Sequence, residues 1–297
     1  MLNDNLKNYL HLHFIVFIWG FTAVIGALIS LDATPLVWYR MLMAVGFIGI
    51  YLWIKKIDWK VPRKTLIGFI IGGVIIALHW VTFFKAIKVS NVSVTLAMMS
   101  TGSFFTAILE PIWYKRKVIW YEIFFGLIVV GGLYIIFEVE TEYVLGIVLA
   151  LTAALLSAIF TLINGKFIQS YKPSVISFYE LFSGVVFLSF YLWFTGGYGT
   201  DFFKVSVSDW VYLGLLASVC TAYAFIASVK VMKFISPYTV MLTINMEPVY
   251  GIILAYLVFG AEEKMSSQFY VGATIILLTV IVNGVLKNKR KRKSTMF

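Results

Sequence analysis

Residues 63–88 read RKTLIGFIIGGVIIALHWVTFFKAIK, an unbroken apolar stretch at 66–84 closed by Arg63 and Lys64 at one end and by Lys85 and Lys88 at the other. A bilayer core about 30 Å thick takes about twenty residues of helix at about 1.5 Å per residue, so this stretch is predicted to span a membrane. Its flanks are unequal: the loop before it carries Lys55, Lys56, Lys60, Arg63 and Lys64, the side after it Lys85 and Lys88.

Working outward, nine more runs have the same character: 12–30, 36–54, 92–114, 118–137, 144–163, 174–194, 210–229, 238–259 and 268–286. The first is long for a signal-peptide core and lacks a small-residue cleavage pattern, so it reads as a span. With the amino terminus in the cytoplasm, nineteen of the 24 lysines and arginines fall on the inner side. They are Lys7, the loop 55–64, Lys115 to Lys117, Lys166, Lys172, Lys230, Lys233 and the tail 287–293. Only Lys85, Lys88, Lys204 and Lys264 fall outside, and Arg40 lies within a run. That asymmetry is what the positive-inside rule describes, and it predicts a multi-pass protein of a cell membrane with both termini cytoplasmic. The outer loops carry acids, among them Asp32, Glu138, Glu140, Glu142, Asp201, Asp209, Glu262 and Glu263.

Composition sets the class. At 61% apolar and 13% charged residues, the 297-residue chain cannot cover itself with a water-facing surface. The net charge of +10 follows the cytoplasmic loops, which points to anionic lipid headgroups as partner rather than nucleic acid. The lone cysteine, Cys220, allows no intramolecular disulfide.

The chain also repeats itself. A slide of 145 positions lays Lys85-Ala86-Ile87-Lys88 on Lys230-Val231-Met232-Lys233 and the fourth run on the ninth without a gap; a slide of 140 lays Trp38-Tyr39-Arg40 on Phe178-Tyr179-Glu180. Two five-span halves, 1–140 and 141–286, followed by a basic tail at 287–297, are predicted. Five is odd, so the second half enters the membrane from the opposite side, the inverted repeat common among secondary transporters.

Several segments carry a family likeness: Trp19-Gly20-Phe21-Thr22, the 35–40 entry into the second run, Ser103-Phe104-Phe105-Thr106-Ala107, and Glu247-Pro248-Val249-Tyr250 with Phe259-Gly260-Ala261-Glu262. Over nearly its whole length the chain resembles the EamA-type members of the drug/metabolite transporter superfamily. The resemblance implies a ten-helix exporter or exchanger around a central cavity, in a bacterial inner membrane, and Trp19 of the first segment is placed with the cavity residues. Two features depart from the pattern. Ser103 stands where the first repeat usually has the proline equivalent to Pro248, and Lys115-Arg116 replaces a Gly-Glu ending. A kink in the fourth run therefore does not follow from its sequence as one in the ninth does.

Charged side chains deep in a bilayer are costly, so those retained face a protein interior or a wet cavity. Glu247 is the leading candidate: nine residues after Tyr238 it lies about 13 Å down its helix, and Pro248 removes the next backbone donor. A carboxylate there can bind a substrate ammonium or exchange a proton; the structural alternative is a tie to His79 or Arg40. Asn245 is turned about 200° from Glu247, so the two cannot face one cavity, and Asn245 is expected with Ser100 between the fourth and ninth helices. His79 and Trp80 join the cavity set as a titratable ring and a cation-binding face, against the reading that they only pack. Ser157, Thr161 and Asn164 share one helix face and complete it. Arg40 and Glu180, equivalent in the two halves and flanked by Tyr39 and Tyr179, are expected near opposite membrane faces as gate or interface anchors. Glu110, close to Lys115, is left out. Small residues such as Gly68 and Gly72 mark close helix contacts.

No nucleotide-binding P-loop, no H-E-x-x-H, no G-x-S-x-G and no paired cysteines occur, so no cofactor, no metal and no catalytic activity are expected. The resulting expectation is a carrier, proton-linked or facilitative, of a small organic solute such as an amino acid or amine, exporting it by alternating access. An exchanger of anionic metabolites, such as nucleotide sugars or sugar phosphates, is the alternative, and a membrane scaffold or intramembrane enzyme the reading from a different class.

Overall fold

The computed structural model describes residues 4–115, 120–139 and 141–294, and among them every regular element is a helix. In chain order the α-helices are α1 (Asp4–Leu28), α2 (Ala33–Ile54), α3 (Arg63–Val89), α4 (Val92–Met99), α5 (Gly102–Trp113), α6 (Trp120–Val139) and α7 (Val144–Phe167). They continue with α8 (Pro173–Phe194), α9 (Val207–Ala217), α10 (Ala224–Val231), α11 (Pro237–Ile244), α12 (Glu247–Phe259) and α13 (Ser267–Ser294). Eight stretches, some of them broken helices, are long and apolar enough to cross a membrane; two shorter apolar segments, Phe124–Ile136 and Ser267–Thr279, accompany them. Together they fall on the ten expected runs. Arg116, Lys117 and Glu140, named above among the loop charges, lie outside the described residues.

The protein is an all-α membrane protein, and its surface shows the solvent it is built for. Trp53, Phe194 and Leu257 are 80%, 77% and 73% exposed, whereas Arg40, Glu180 and Asn164 are 1%, 0% and 0% exposed. Apolar outside and polar within is the distribution a lipid-embedded bundle requires.

Some boundaries differ from the sequence reading. Helix α1 starts eight residues early, because polar residues can continue a helix beyond the hydrocarbon. Helix α3 likewise runs past Lys85 and Lys88 to Val89. Lys88 is thus not a loop residue: its Nζ donates to the carbonyl of Ile29, just past the end of α1, the placement that favours a cation at a helix carboxyl end. The stretch 287–293 continues α13 rather than forming a separate tail.

The fourth and ninth runs are each broken, and at equivalent points. Helix α4 spans 92–99 and α11 spans 237–244; α5 starts at Gly102 and α12 at Glu247. Each of these positions is related to its counterpart by the shift of 145. The helices begin on equivalent caps, Asn91 and Ser236, whose side chains accept from Val94 N and Thr239 N. At the second break, Pro248 has no N–H to continue the ladder. At the first there is no proline; the Ser100 and Thr101 hydroxyls instead donate to the carbonyls of Ala97 and Met98, at 2.6 and 2.7 Å. Such local bonds compete with the α-helical ladder, and both breaks tighten to three-residue bonds, Thr101 N to Met98 O and Met246 N to Thr243 O.

Helix α4 packs against α12, and α5 against α11. The leading segment of each broken span therefore meets the trailing segment of the other, as in two antiparallel rods. Outside this pair, α3 is the hub, packed against α7 and α8, while α6 packs on α13. Close approach depends on glycine: a Cβ at Gly20 would lie 2.9 Å from Tyr250 Cβ, across the α1–α12 contact.

Candidate functional site

A cavity of about 80 Å³ lies at the level of the breaks, lined from α1, α2, α3, α4, α7, α10, α11 and α12. Residues from before and after position 140 contribute to it. Its polar lining includes Arg40, His79, Thr161, Ser228 and Glu247, and its walls are aromatic: Trp19, Trp80, Phe83, Phe160 and Phe225. Phe225 joins two of these walls, its ring 5.8 Å from Trp80 and 5.3 Å from Phe160.

Arg40 is the cation of the site. Its guanidinium carbon lies 4.1 Å from the centroid of Trp80 and 5.5 Å from that of Phe84, and Nε donates to Thr221 Oγ1 at 2.6 Å. Nη1 is buried without a hydrogen-bond partner among the described residues. The stacking offsets part of the cost of burying the charge, while the open Nη1 can donate to an anionic group in the cavity.

The anchor for Arg40 is a π-helical turn, Ser218–Tyr223, between α9 and α10. Thr221 Oγ1 donates to Leu216 O, five residues back, and so presents its lone pairs to Arg40. The same turn leaves the Cys220 carbonyl to accept from Trp19 Nε1 at 3.2 Å. Two cavity side chains on different helices are thus held by one irregular turn, a feature that tends to occur at functional sites.

Glu247 opens α12 and faces the cavity from its first turn, where the positive end of the helix dipole favours a carboxylate. His79 Nδ1 donates to the Ala153 carbonyl at 2.8 Å, since a carbonyl can only accept. In the neutral ring this leaves Nε2 as an acceptor.

The structure brings Glu247, His79, Trp80, Trp19 and Thr161 together as cavity lining, with Ser157. Asn164 turns away, its Nδ2 lying 3.1 and 3.3 Å from the two oxygens of Glu180. Arg40, expected at a gate or interface, lines the cavity instead; α2 starts at Ala33, three residues before the expected 36, so Arg40 lies two turns deep. Glu180 is fully buried between helices. Tyr39 OH donates to Phe202 O and Tyr179 OH to Trp59 O, each tying a helix to a loop segment. Ser100 and Asn245 are both buried at the breaks, and Asn245 pairs with Ser103 rather than with Ser100.

Sequence reasoning missed Thr221, Ser228 and the role of Glu263. Glu263, read as an outer-loop acid, accepts from the backbone N–H groups of Val92 and Ser93 at 2.9 and 2.8 Å and caps α4. No local pattern signals this, because the cap comes from a residue far along the chain.

These features define a multi-span membrane protein with a polar, aromatic-walled cavity drawn from both halves of its chain. The chain belongs to the EamA-like transporter family, whose model matches residues 7–138 and, a second time, residues 144–285. Among relatives, uncharacterized transporter YwfM of Bacillus subtilis is 24% identical over 296 residues, covering 93% of each chain. Uncharacterized transporter YxxF of the same organism is 21% identical over 234 residues, covering 76% of this chain and 73% of its own. A solved crystal structure shares the fold with a TM-score of 0.69 at 13% identity, covering 95% of this chain and 99% of that one.

Proposed function

We propose that this membrane transport protein is a secondary carrier of a small zwitterionic solute of the amino-acid type, working by alternating access. The observation that carries the reading is the presence of Arg40 and Glu247 on one aromatic-walled cavity. The open Nη1 of Arg40 suits a carboxylate, and Glu247 at the opposite charge suits an ammonium group. The aromatic faces suit the ammonium and a short apolar side chain.

The antiparallel broken spans support alternating access, because two similar units in opposite orientation can exchange conformations and open one site to each side in turn. The bias of basic residues toward one set of loops supports cytoplasmic termini. Export and a bacterial inner membrane follow the family likeness.

The test is transport by the purified protein in proteoliposomes. Labelled neutral amino acids, primary amines and sugar phosphates are offered with and without a pH gradient. Saturable movement of neutral amino acids, chemically unchanged, is the expected result. Movement of sugar phosphates alone would favour the anion-exchange reading, for which Arg40 is the supporting cation. Movement of none, or conversion of a substrate, would overturn the carrier reading.

A further inference from the structure

A second titratable centre lies outside the cavity. Glu180 on α8 is 0% exposed and meets Asn164 of α7, while α3 brings Gly72 against the carboxyl and Gly73 against the α8 backbone at Glu180. A Cβ at Gly72 would lie 3.1 Å from Glu180 Cδ, and one at Gly73 2.8 Å from Ser183 Cβ. Among the described residues, the Oδ1 of its partner Asn164, and Ser177 Oγ one turn earlier on α8, are buried without a hydrogen-bond partner.

The charged groups on the elements packed around α8 are all engaged elsewhere or turned outward. On α3, His79 is bonded to Ala153 and Lys88 to Ile29, while Arg63, Lys64 and Lys85 are exposed. On α2, Arg40 is held by Thr221. Lys166 of α7, Lys172 before α8 and Lys230 of α10 are exposed. Among the described residues, Glu180 thus has an amide donor and no cation partner. A carboxylate so placed is far costlier than the neutral acid, so the packed conformation holds the protonated form.

We propose that Glu180 and Asn164 form a protonation site, separate from the solute cavity, that carries the coupling proton of the transport cycle. An amide suits both forms: its NH₂ donates to the carboxylate, and after a half-turn its oxygen accepts from the acid O–H. The proton is released when the Glu180 O–H breaks and water at the opened end takes it up, and it is regained from water when the opposite end opens. At the end bearing the basic loops, access is closed by aromatic packing of Phe69 against Phe167, Tyr171 and Tyr179, with ring centroids 4.8, 5.5 and 5.9 Å apart. The coupling is mechanical. Asn164 lies one helical turn from Thr161 of the cavity, and α3 carries both the Gly72–Gly73 contact and His79, so movement that wets Glu180 also reshapes the cavity.

This inference rests on the carrier reading, and the experiment separates the two. In proteoliposomes loaded with a labelled neutral amino acid, Glu180→Gln is expected to keep solute exchange at equal concentrations. It should lose accumulation driven by a pH gradient by about tenfold or more and show a flat pH profile for exchange. Asn164→Ser, which keeps the acid, is expected to shift the midpoint of that profile by about tenfold in proton concentration. Undiminished gradient-driven accumulation in folded Glu180→Gln, or an unmoved midpoint in Asn164→Ser, would overturn the proposal. If the wild type moves no solute, the carrier reading itself has failed. Infrared spectroscopy then decides the site directly: a buried carboxylic-acid band present in the wild type at neutral pH and missing in Glu180→Gln supports it, and no such band refutes it.

Discussion

Asn245 Nδ2 donates to Ser103 Oγ at 2.8 Å, so the residue that ends α11 is bonded to the first turn of α5. The bond joins the two helix breaks. Both partners are buried, at 1% and 2% exposure.

Removing one side of this bond leaves the other without a partner in a dry interior. Asn245→Ala is expected to cost about 1–3 kcal/mol, read as a loss of thermal stability in detergent. Ser103→Ala in the same background should cost little further, because the partner it would strand is already gone. Additive losses would show that the two residues act independently.

Arg40→Lys preserves charge but not the planar stacking on Trp80 or the Nε bond to Thr221. Solute affinity in the reconstituted protein is expected to fall by about tenfold or more, measured as the concentration for half-maximal exchange. An unchanged value would remove Arg40 from solute binding.

Thr221→Val matches the side chain in size while deleting the oxygen that accepts from Arg40 and donates to Leu216. We expect the half-maximal concentration to rise in the same direction as in Arg40→Lys, and stability to fall by about 1–3 kcal/mol. Combined with Arg40→Lys, its effect on affinity should be less than additive.

Glu263→Ala strips the carboxylate that accepts from Val92 and Ser93 at the start of α4. Loss of a helix amino-terminal cap costs roughly 0.5–2 kcal/mol, and the thermal midpoint should drop accordingly. Lys204, exposed and paired with exposed Asp201 at 3.0 Å, is the control: Lys204→Ala should leave the midpoint almost unmoved.

The spans were legible because their signal is local: runs such as 66–84 are apolar enough to declare themselves. The buried place of Glu247 was legible for a related reason, since a carboxylate beside a proline deep in an apolar run points toward a protein interior or wet cavity. Arg40 was read as a gate because its depth was counted from a late helix start, and its stacking on Trp80 depends on how α2 meets α3. The break at Ser100 had no proline to announce it, and hydroxyl bonds to local carbonyls make it instead. Asn164 shares a helix face with Thr161, yet its partner on α8 decides where its amide turns. The surroundings of Arg40 and Asn164 are settled by neighbours on other helices, whereas the Ser100 break is local but carries no proline to mark it.

The π-helical turn at Ser218–Tyr223 sets an address for everything after it. One residue more or fewer in a helix swings all later side chains by about 100° around the axis. Deleting a single residue from this turn would aim Phe225 and Ser228 away from the cavity they now line and expose a different stripe of α10 in their place. Composition and hydropathy would hardly register the loss, and the protein would still insert. The count of residues between α9 and α10 keeps the Phe225 and Ser228 stripe of that span pointed at the cavity.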